Sequence, residues 1–179
     1  YDESFQKWVF PFYRGGCGVL AGMWPFHTWS PDGHVAAPTA VSMLHAGVLM
    51  KLGAFGILRV GMTILPEGAE FWSPVLMTLG VTGALYGAVS ALAQKDLKYM
   101  VGYSSVSHMG FVLMGLATMD HIGVNGAVLQ MFAHGVMTAL MFTNVGAVYD
   151  QAHVRDMTGF GGLAKRMPRH AAFFSIAGL

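Results

Sequence analysis

The stretch WSPVLMTLGVTGALYGAVSALA, residues 72–93, decides the fold class of this chain. It contains no charged side chain, and it is longer than the roughly 20 apolar residues that a helix needs to cross a bilayer. The composition agrees, because 54% of the 179 residues are hydrophobic and only 11% are Asp, Glu, Lys or Arg. Soluble domains carry about 25% charged residues. We therefore predict an all-α, polytopic transmembrane helix bundle in an integral, multi-pass membrane protein.

Other segments of the chain are apolar over a similar length, so the sequence predicts several membrane spans. The predicted spans are 8–26, 38–60, 72–93, 99–118 and 122–148, with the start of a sixth at residue 170. The first is the weakest because it contains Pro11 and Arg14. Residues 1–179 are assigned to one transmembrane domain. We expect the chain to be an internal fragment, because it starts at Tyr1 and its last residues are apolar.

The basic residues between the spans predict the orientation of the helices. Loops 27–37, 94–98 and 149–169 lie on the same side, since successive spans alternate in direction. This side carries six basic residues in the last two loops: Lys95, Lys98, Arg155, Lys165, Arg166 and Arg169. Basic loops face the cytoplasm or its topological equivalent, such as a mitochondrial matrix or a stroma. We therefore expect this basic side to be cytoplasmic.

Three ionisable side chains lie close to the midpoints of three predicted spans, namely Lys51, His108 and His134. A lysine at the bilayer centre costs about 2.5–3.5 kcal/mol on insertion scales, so its presence there needs a reason. A desolvated lysine and a histidine can both exchange a proton near neutral pH. We interpret the three residues as a candidate proton relay. The alternative for each histidine is a hydrogen bond between helices.

Polar residues near the candidate relay give it possible supporting partners, namely Ser104, Gln130, Thr138 and Tyr86. The first three lie one helical turn from His108 or His134, and Tyr86 belongs to a polar stripe in the uncharged span. Such stripes also hold helices together without conducting ions. No metal site is expected, because the histidines do not have the spacing of metal ligands.

Several classes of function are excluded by what the sequence lacks. The net charge of +1 gives no electrostatic basis for binding nucleic acid. Cys17 is the single cysteine, so neither an internal disulfide nor an iron–sulfur cluster on this chain is expected. A glycine-rich dinucleotide fingerprint is also missing. We therefore expect neither a catalytic redox residue nor a bound cofactor on this chain.

Seven blocks of the sequence resemble the antiporter-like membrane subunits of respiratory complex I, the subunit M or chain 4 family. The blocks are ordered along the chain and are spread from residue 25 to residue 157: PFHTWSPDGH (25–34), APT (37–39), GVLMK (47–51), QKDLK (94–98), YSSVSHMGF (103–111), QMFAHG (130–135) and HVRDM (153–157). In this family the lysine and the two histidines of the matching blocks belong to a central hydrophilic axis. They correspond to Lys51, His108 and His134.

The resemblance implies a bundle of about fourteen helices with two inverted five-helix repeats, of which this chain is a part. It implies proton translocation coupled to distant quinone reduction, within an NADH:quinone oxidoreductase complex. The expected partners are other membrane subunits of that complex, the lipid bilayer and protons. NADH, FMN, iron–sulfur clusters and quinone are expected on partner subunits. The expected location is a bacterial plasma membrane, with a mitochondrial inner membrane or a thylakoid membrane as alternatives.

One stretch, residues 13–23, departs from the family pattern. The family has a lysine and a proline shortly before the PxHxW motif, where this chain has Leu20 and Gly22. Two compensating frameshifts in the source sequence would explain the departure, and so would a real loss of the lysine with Arg14 as a remote substitute. The adjacent residues His27, Asp32 and His34 are predicted to be structural or interfacial, because they lie among prolines at a membrane boundary.

Two alternative functions remain open at the level of sequence. The first is the D-type subunit of a multisubunit sodium/proton antiporter or of a membrane-bound hydrogenase, both of which share this fold. The second is a structural membrane subunit that no longer conducts. Leu20 favours the second alternative, whereas the presence of Lys51, His108 and His134 argues against it.

Overall fold

The computed structural model describes residues 1–178, and it is helical in that range with no β-strand. The seven main helices are α1 (Glu3–Leu20), α2 (Trp29–Ala36), α3 (Thr39–Met62), α4 (Pro66–Leu92), α5 (Leu97–Ala117), α6 (His121–Ala152) and α7 (Pro168–Gly178). Within α3, the segments His45–Leu49 and Ile57–Met62 are π-helical. A 3-10 turn, Met157–Gly159, and a single α-helical turn, Leu163–Arg166, connect α6 to α7.

Four of these helices, α3 to α6, are long and apolar enough to cross a membrane. Helix α4 has 27 residues, which at 1.5 Å per residue gives a length of about 40 Å. That length exceeds the roughly 30 Å hydrocarbon core of a bilayer. The predicted all-α transmembrane fold is confirmed, and the chain is an integral, multi-pass membrane protein.

The beginning of the chain differs from the predicted single span 8–26 followed by a loop. Helix α1 ends at Leu20, and Gly22 then adopts a positive φ of 73°, which favours glycine. The predicted loop 27–37 contains the eight-residue helix α2. The predicted span 8–26 is therefore not one continuous helix, because the chain turns at Gly22.

Contacts at the two ends show that residues 3–36 cross the bundle in two helices. At one end, Gln6 accepts a hydrogen bond from the backbone N–H of Glu67, the start of α4, at 3.1 Å. At the other end, the carbonyl of Val35 accepts a hydrogen bond from Arg155, beyond α6, at 3.2 Å. Helices α1 and α2 therefore begin and end on opposite sides of the bundle.

Helices α5 and α6 each begin at an aspartate that caps the helix N-terminus, where the sequence changes from polar to apolar. The carboxylate of Asp96 accepts a hydrogen bond from the backbone N–H of Lys98 at 2.7 Å. The carboxylate of Asp120 accepts one from Ile122 at 3.3 Å. A capping carboxylate satisfies N–H groups that the first turn of a helix leaves free. The starts of α5 and α6, two and one residues before the predicted 99 and 122, follow from these caps.

The three loops that were predicted to share one side lie together in the structure. The backbone N–H of Leu97 donates to the carbonyl of Arg155 at 3.1 Å, and the Arg155 side chain pairs with Asp96 at 3.3 Å. The same guanidinium reaches Val35, as described above. Residues from all three loops therefore meet at one end of the bundle, which we call the basic end.

We predict that the basic end faces the cytoplasm, and cysteine labelling tests this. In full-length protein that carries Cys17→Ser, a Lys165→Cys variant should react with a membrane-impermeant maleimide only from the cytoplasmic side. A Glu67→Cys variant, exposed at the opposite end of the bundle, is the matched control and should react only from the other side. Labelling of position 165 from outside would reverse the assignment.

Glycines allow α4 and α5 to pack with their backbones in contact. A Cβ atom added at Gly110 would lie 2.5 Å from the backbone nitrogen of Ala84, and one added at Gly87 would lie 2.6 Å from that of Ser107. Real Cβ atoms do not approach a backbone so closely. Small residues at such positions are the usual basis of helix packing in membranes. The close fit fixes the height of α5, which carries His108, relative to α4.

Candidate functional site

Lys51 lies in the interior of the bundle, in the middle of α3. Its side chain is buried, with 9% exposed, and its Nζ donates a hydrogen bond to the carbonyl of Ala46 in the π-helical segment of the same helix. The lysine lies against α6, because a Cβ atom added at Gly135 would be 3.9 Å from Lys51 Cε. Gly47 and Gly135 contact each other at this crossing. Two small residues therefore bring the lysine next to His134.

His134 and His108 form a stacked pair between α6 and α5. Their ring centroids are 5.0 Å apart, with an angle of 29° between the planes. His134 is 1% exposed, and neither of its ring nitrogens has a hydrogen-bond partner among residues 1–178. His108 is half-buried, and its Nδ1 lies 3.0 Å from the side-chain nitrogen of Gln130. Two of the predicted relay residues are thus in direct contact.

A second pair of histidines, which the sequence did not predict as part of the site, lies near Lys51. His34 of α2 and His45 of α3 have ring centroids 4.2 Å apart. His34 is fully buried and also packs against Phe142 of α6, at 4.7 Å between centroids. Of the predicted roles, structural or interfacial, the interior position of His34 does not fit the interfacial one, and the structural one stays a prediction. His34 is interior because α2 continues into the bundle instead of forming a boundary loop.

The other two residues of the predicted boundary group behave differently from each other. His27 is buried, with 3% exposed, and its ring meets that of Tyr86 edge-on at 4.9 Å. It lies outside both histidine pairs. Asp32 is exposed and accepts a hydrogen bond from the hydroxyl of Tyr99 at 3.1 Å. The place of Asp32 is compatible with an interfacial role and the buried contact of His27 with a structural one, and both roles stay predictions.

The residues around Lys51 are close enough for their charges to interact, and we call them the Lys51 cluster. Lys51 Nζ is bonded to the carbonyl of Ala46, next to His45, and Lys51 Cε lies beside Gly135, next to His134. His45 is paired with His34, and His134 is paired with His108. The cluster consists of Lys51, His34, His45, His108 and His134. A signal for His45 was present in the sequence, because this residue lies within the predicted span 38–60. It was missed because it is six residues from Lys51 and away from the midpoint.

The predicted supporting residues differ in their relation to the cluster. Gln130 contacts His108, as described above. The hydroxyl of Thr138 donates to the carbonyl of His134 at 2.6 Å, so it is engaged within its own helix. Ser104 lines a cavity together with His108. Tyr86 is 42% exposed and contacts His27, so the structure does not bring it to the two histidine pairs.

Two cavities reach His108 from opposite directions. One, of about 560 Å³, is lined by Ser104, Thr138 and His108 and extends to Gln94 and Met157 at the basic end. The other, of about 460 Å³, is lined by His108 and Gln130 together with small residues of α5 and α6, such as Gly115 and Gly123. Gly115 and Gly123 lie near the α5–α6 connection, at the end opposite to the basic end. His108 is therefore adjacent to space on both sides of the bundle.

In residues 13–23, the stretch that differs from the family pattern, the residue at the end of α1 is apolar and not a cation. Leu20 is the last residue of that helix. Arg14 lies six residues earlier, about 9 Å along the axis, and its guanidinium is 6.0 Å from the ring of Trp72. Its Nε and one terminal nitrogen are buried without a hydrogen-bond partner in the described part of the chain. Arg14 thus faces the start of α4 and does not reach the position of Leu20.

The fold and these buried groups define a class of protein, namely a polytopic α-helical membrane protein with a lysine and four histidines clustered in its interior. The comparisons with known proteins give the family. The family model described as NADH:quinone oxidoreductase/Mrp antiporter, transmembrane, matches residues 2–179. The chain belongs to this family.

Two curated relatives and one solved structure illustrate the similarity. The chain is 41% identical to an NAD(P)H-quinone oxidoreductase chain 4 from Picosynechococcus over 179 residues, which cover all of this chain and 32% of the relative. It is 42% identical to the NADH-quinone oxidoreductase subunit M of Rhodobacter capsulatus, covering 94% of this chain and 33% of the relative. The chain therefore spans about a third of the length of these relatives.

The solved structure is similar over almost the whole chain. It is that of respiratory complex I from Thermus thermophilus with bound NADH, with a TM-score of 0.93 and 30% identity. The match covers 99% of this chain and 38% of the chain in that complex. The helices described above therefore have the arrangement of one part of a complex I membrane subunit.

Proposed function

We propose that this chain is part of a proton-translocating membrane subunit of an NADH:quinone oxidoreductase. Protons would pass through Lys51, His134 and His108, and their movement would be coupled to quinone reduction in other subunits. The observation that carries the proposal is the Lys51 cluster, a buried lysine with four histidines in the interior of a transmembrane bundle. Ionisable groups inside a membrane protein are costly, and they commonly mark ion pathways.

The depth of the three predicted relay residues supports this function. Lys51, His108 and His134 each lie within three residues of the middle of α3, α5 and α6. At 1.5 Å per residue, these offsets are at most about 4.5 Å along each axis. The contacts between Lys51 and α6, and between His134 and His108, join the three helices at that depth. Protons could therefore move laterally along the cluster with short steps.

The cavities beside His108 support an exchange of protons with both sides of the membrane. A cavity lined by Ser104 and Thr138 has room for water, and buried water in proteins is held by such polar groups. Water would extend the relay from His108 toward the basic end. Gln130, hydrogen-bonded to His108, would hold the imidazole in place for transfer.

The proposed complex determines where the redox chemistry takes place. NADH oxidation, the flavin, the iron–sulfur clusters and the quinone site would all belong to partner subunits. The role of this chain would be proton transfer alone, since lysine and histidine need only gain and lose a proton. Its neighbours would be the other membrane subunits of the complex and the surrounding lipid.

A second candidate is favoured by the family itself, whose description names both NADH:quinone oxidoreductases and Mrp antiporters. In that case the chain would belong to a D-type subunit of a sodium/proton antiporter or of a membrane-bound hydrogenase. A third candidate, a non-conducting structural subunit, is favoured by Leu20 at the position of the family's lysine. It does not explain why the interior retains Lys51 and two histidine pairs.

Purification of the native complex through an affinity tag on the full-length chain distinguishes these functions. We expect flavin- and iron–sulfur-containing subunits to co-purify, and we expect NADH-driven quinone reduction to acidify or alkalinise sealed vesicles without added sodium. A tagged complex without redox subunits that exchanges sodium for protons would contradict the proposal and favour the antiporter. NADH-driven quinone reduction and proton pumping that are unaffected by Lys51→Met would favour the structural subunit.

A further inference from the structure

We propose that His34 and His45 form a second proton-holding pair, with Trp29 stacked on His45 to favour its protonated form. The inference rests on the proposed function and adds a residue to it, His45, which no family motif quoted above includes. The pair would hold a proton between Lys51 and the basic end of the bundle.

The geometry places His45 between two aromatic rings. The ring of His34 lies 4.2 Å from that of His45 on α3, and the indole of Trp29 lies 4.9 Å from it with an angle of only 21° between the planes. Gly33 leaves space for this arrangement, because a Cβ atom there would lie 3.1 Å from His45 Cε1. Helix α2 therefore supplies both neighbours and the space between them.

The environment of the pair favours one shared proton. Both ring nitrogens of His34, and Nε2 of His45, are buried and lack hydrogen-bond partners among the described residues. Two imidazolium ions this close would repel each other strongly, so the pair accepts at most one proton beyond those of the two neutral rings. A cation on His45 is stabilised by the face of Trp29, since aromatic rings attract cations.

Three charged or titratable groups surround the pair, one each on α3, α5 and α6. Lys51 is bonded to the carbonyl of Ala46, next to His45, and Lys98 of α5 is bonded to the carbonyl of Ala37, three residues after His34. His134 of α6 precedes Gly135, which contacts Gly47 of α3. The nearest acidic side chain on α2, Asp32, is exposed and bonded to Tyr99. When Lys51 is neutral, one cation that competes with the pair is lost, and the pair can accept a proton.

The transfer involves proton movement only. An N–H bond breaks at the Lys51 ammonium, which becomes a neutral amine, and an N–H bond forms at an imidazole nitrogen of His34 or His45, which becomes an imidazolium. Charge is conserved, and no oxidant or reductant is needed. His45 is six residues before Lys51, about 9 Å closer to the basic end along α3. The proton thus advances toward that end.

At the basic end of the bundle, hydrogen bonds hold the C-terminus of α2 in place. The ammonium of Lys98 donates to the carbonyl of Ala37, directly after α2, at 2.7 Å. The carbonyl of Val35, next to His34, is bound by Arg155. These contacts fix the end of α2, and with it the distance between the two histidine rings.

The test uses the assembled complex with the full-length chain in sealed vesicles, with NADH and quinone, across about pH 5 to 8, where histidine titrates. His45→Leu should slow proton uptake near neutral pH by about tenfold or more. Trp29→Leu should move the alkaline limb of the rate profile to lower pH by about 0.5–1 unit, because the imidazolium loses its stacked ring. Trp29→Phe keeps a ring and should shift the limb by less than half of that.

Control variants and the contrary results separate this inference from the proposed function. His121→Gln changes an exposed histidine at the start of α6 and should leave rate and profile unchanged. A wild-type rate and profile for His45→Leu, while Lys51→Met is inactive, would overturn the pair and leave the proposed function standing. Full pumping by Lys51→Met would instead overturn the proposed function. If His45→Leu does not assemble on a native gel, the two Trp29 variants decide.

Trp29 also makes a structural hydrogen bond, but the comparison of its two variants is not affected by it. Its indole N–H donates to the carbonyl of Val19 at 2.9 Å, and both substitutions remove this bond. Equal shifts for Trp29→Phe and Trp29→Leu would assign the effect to that bond and overturn the stacking role. A larger shift for leucine supports the proposal.

Discussion

Replacing Lys51 by methionine should reduce proton uptake by about 100-fold or more, a loss typical for removal of a proton-transferring group. The coupled quinone reductase rate should fall with it. Methionine has a similar length and no charge, so it removes the ability to titrate without leaving a large cavity. Since a buried ammonium costs free energy, the complex should assemble as well as the wild type. A native gel and proton uptake in vesicles measure the two effects.

Arginine at position 51 separates a titrating role from a structural one. A guanidinium stays protonated in proteins, so Lys51→Arg should be almost as inactive as Lys51→Met. If the role of Lys51 were only to donate a hydrogen bond to Ala46, arginine would retain it and methionine would not. A structural role therefore predicts the reverse order, with arginine active and methionine poorly assembled.

A matched control for these variants is available at the basic end. Lys165 is exposed and distant from the Lys51 cluster, so Lys165→Met should assemble and pump like the wild type. Normal proton uptake by Lys51→Met would contradict the proposed relay through Lys51 and favour the structural subunit.

The parts of the fold that were predictable are those that one segment determines by itself. A run without charge, such as residues 72–93, must lie in lipid or in the interior, so α4 could be placed from composition. The break between α1 and α2 was not predictable in this way. It depends on a turn at Gly22 and on the contacts of α2 with α5, and hydropathy is insensitive to both.

The candidate site was predictable only in part, for a related physical reason. Lys51, His108 and His134 were found because a charge at mid-span is costly wherever its neighbours lie. The contacts of His34 and His45 depend on how α2 packs against α3, and this packing brings together residues eleven apart in sequence. The prolines around residues 31 and 38 also pointed to a loop, although Pro31 lies inside α2.

The departing stretch 13–23 fits the bundle closely despite the missing lysine. A Cβ atom added at Gly56 of α3 would lie 2.9 Å from Cys17 Sγ, and the hydroxyl of Tyr13 donates to the carbonyl of Gly56 at 3.4 Å. Such contacts support the packing of α1 but supply no cation near Leu20.

Replacing His134 and His108 by phenylalanine, one at a time, should each slow proton uptake by about 100-fold, since each is proposed to carry the proton. Phenylalanine keeps a ring in the stacked pair, whose centroids are 5.0 Å apart, so the packing of α5 on α6 should survive. His121→Phe, on an exposed histidine at the start of α6, is the matched control and should pump normally.

The double variant tests whether the two histidines act in one pathway. If a proton must pass both, the first replacement already blocks the route, and the double variant should be no slower than the slower single variant. If the two histidines served separate parallel routes, each single variant would lose only the uptake through its own route, and only the double variant would lose most of the uptake. The measurement is proton uptake by the four complexes in the same vesicles, with assembly checked on a native gel. Small losses for both single variants, with a large loss for the double variant, would contradict a serial relay, because each histidine would then serve a separate path.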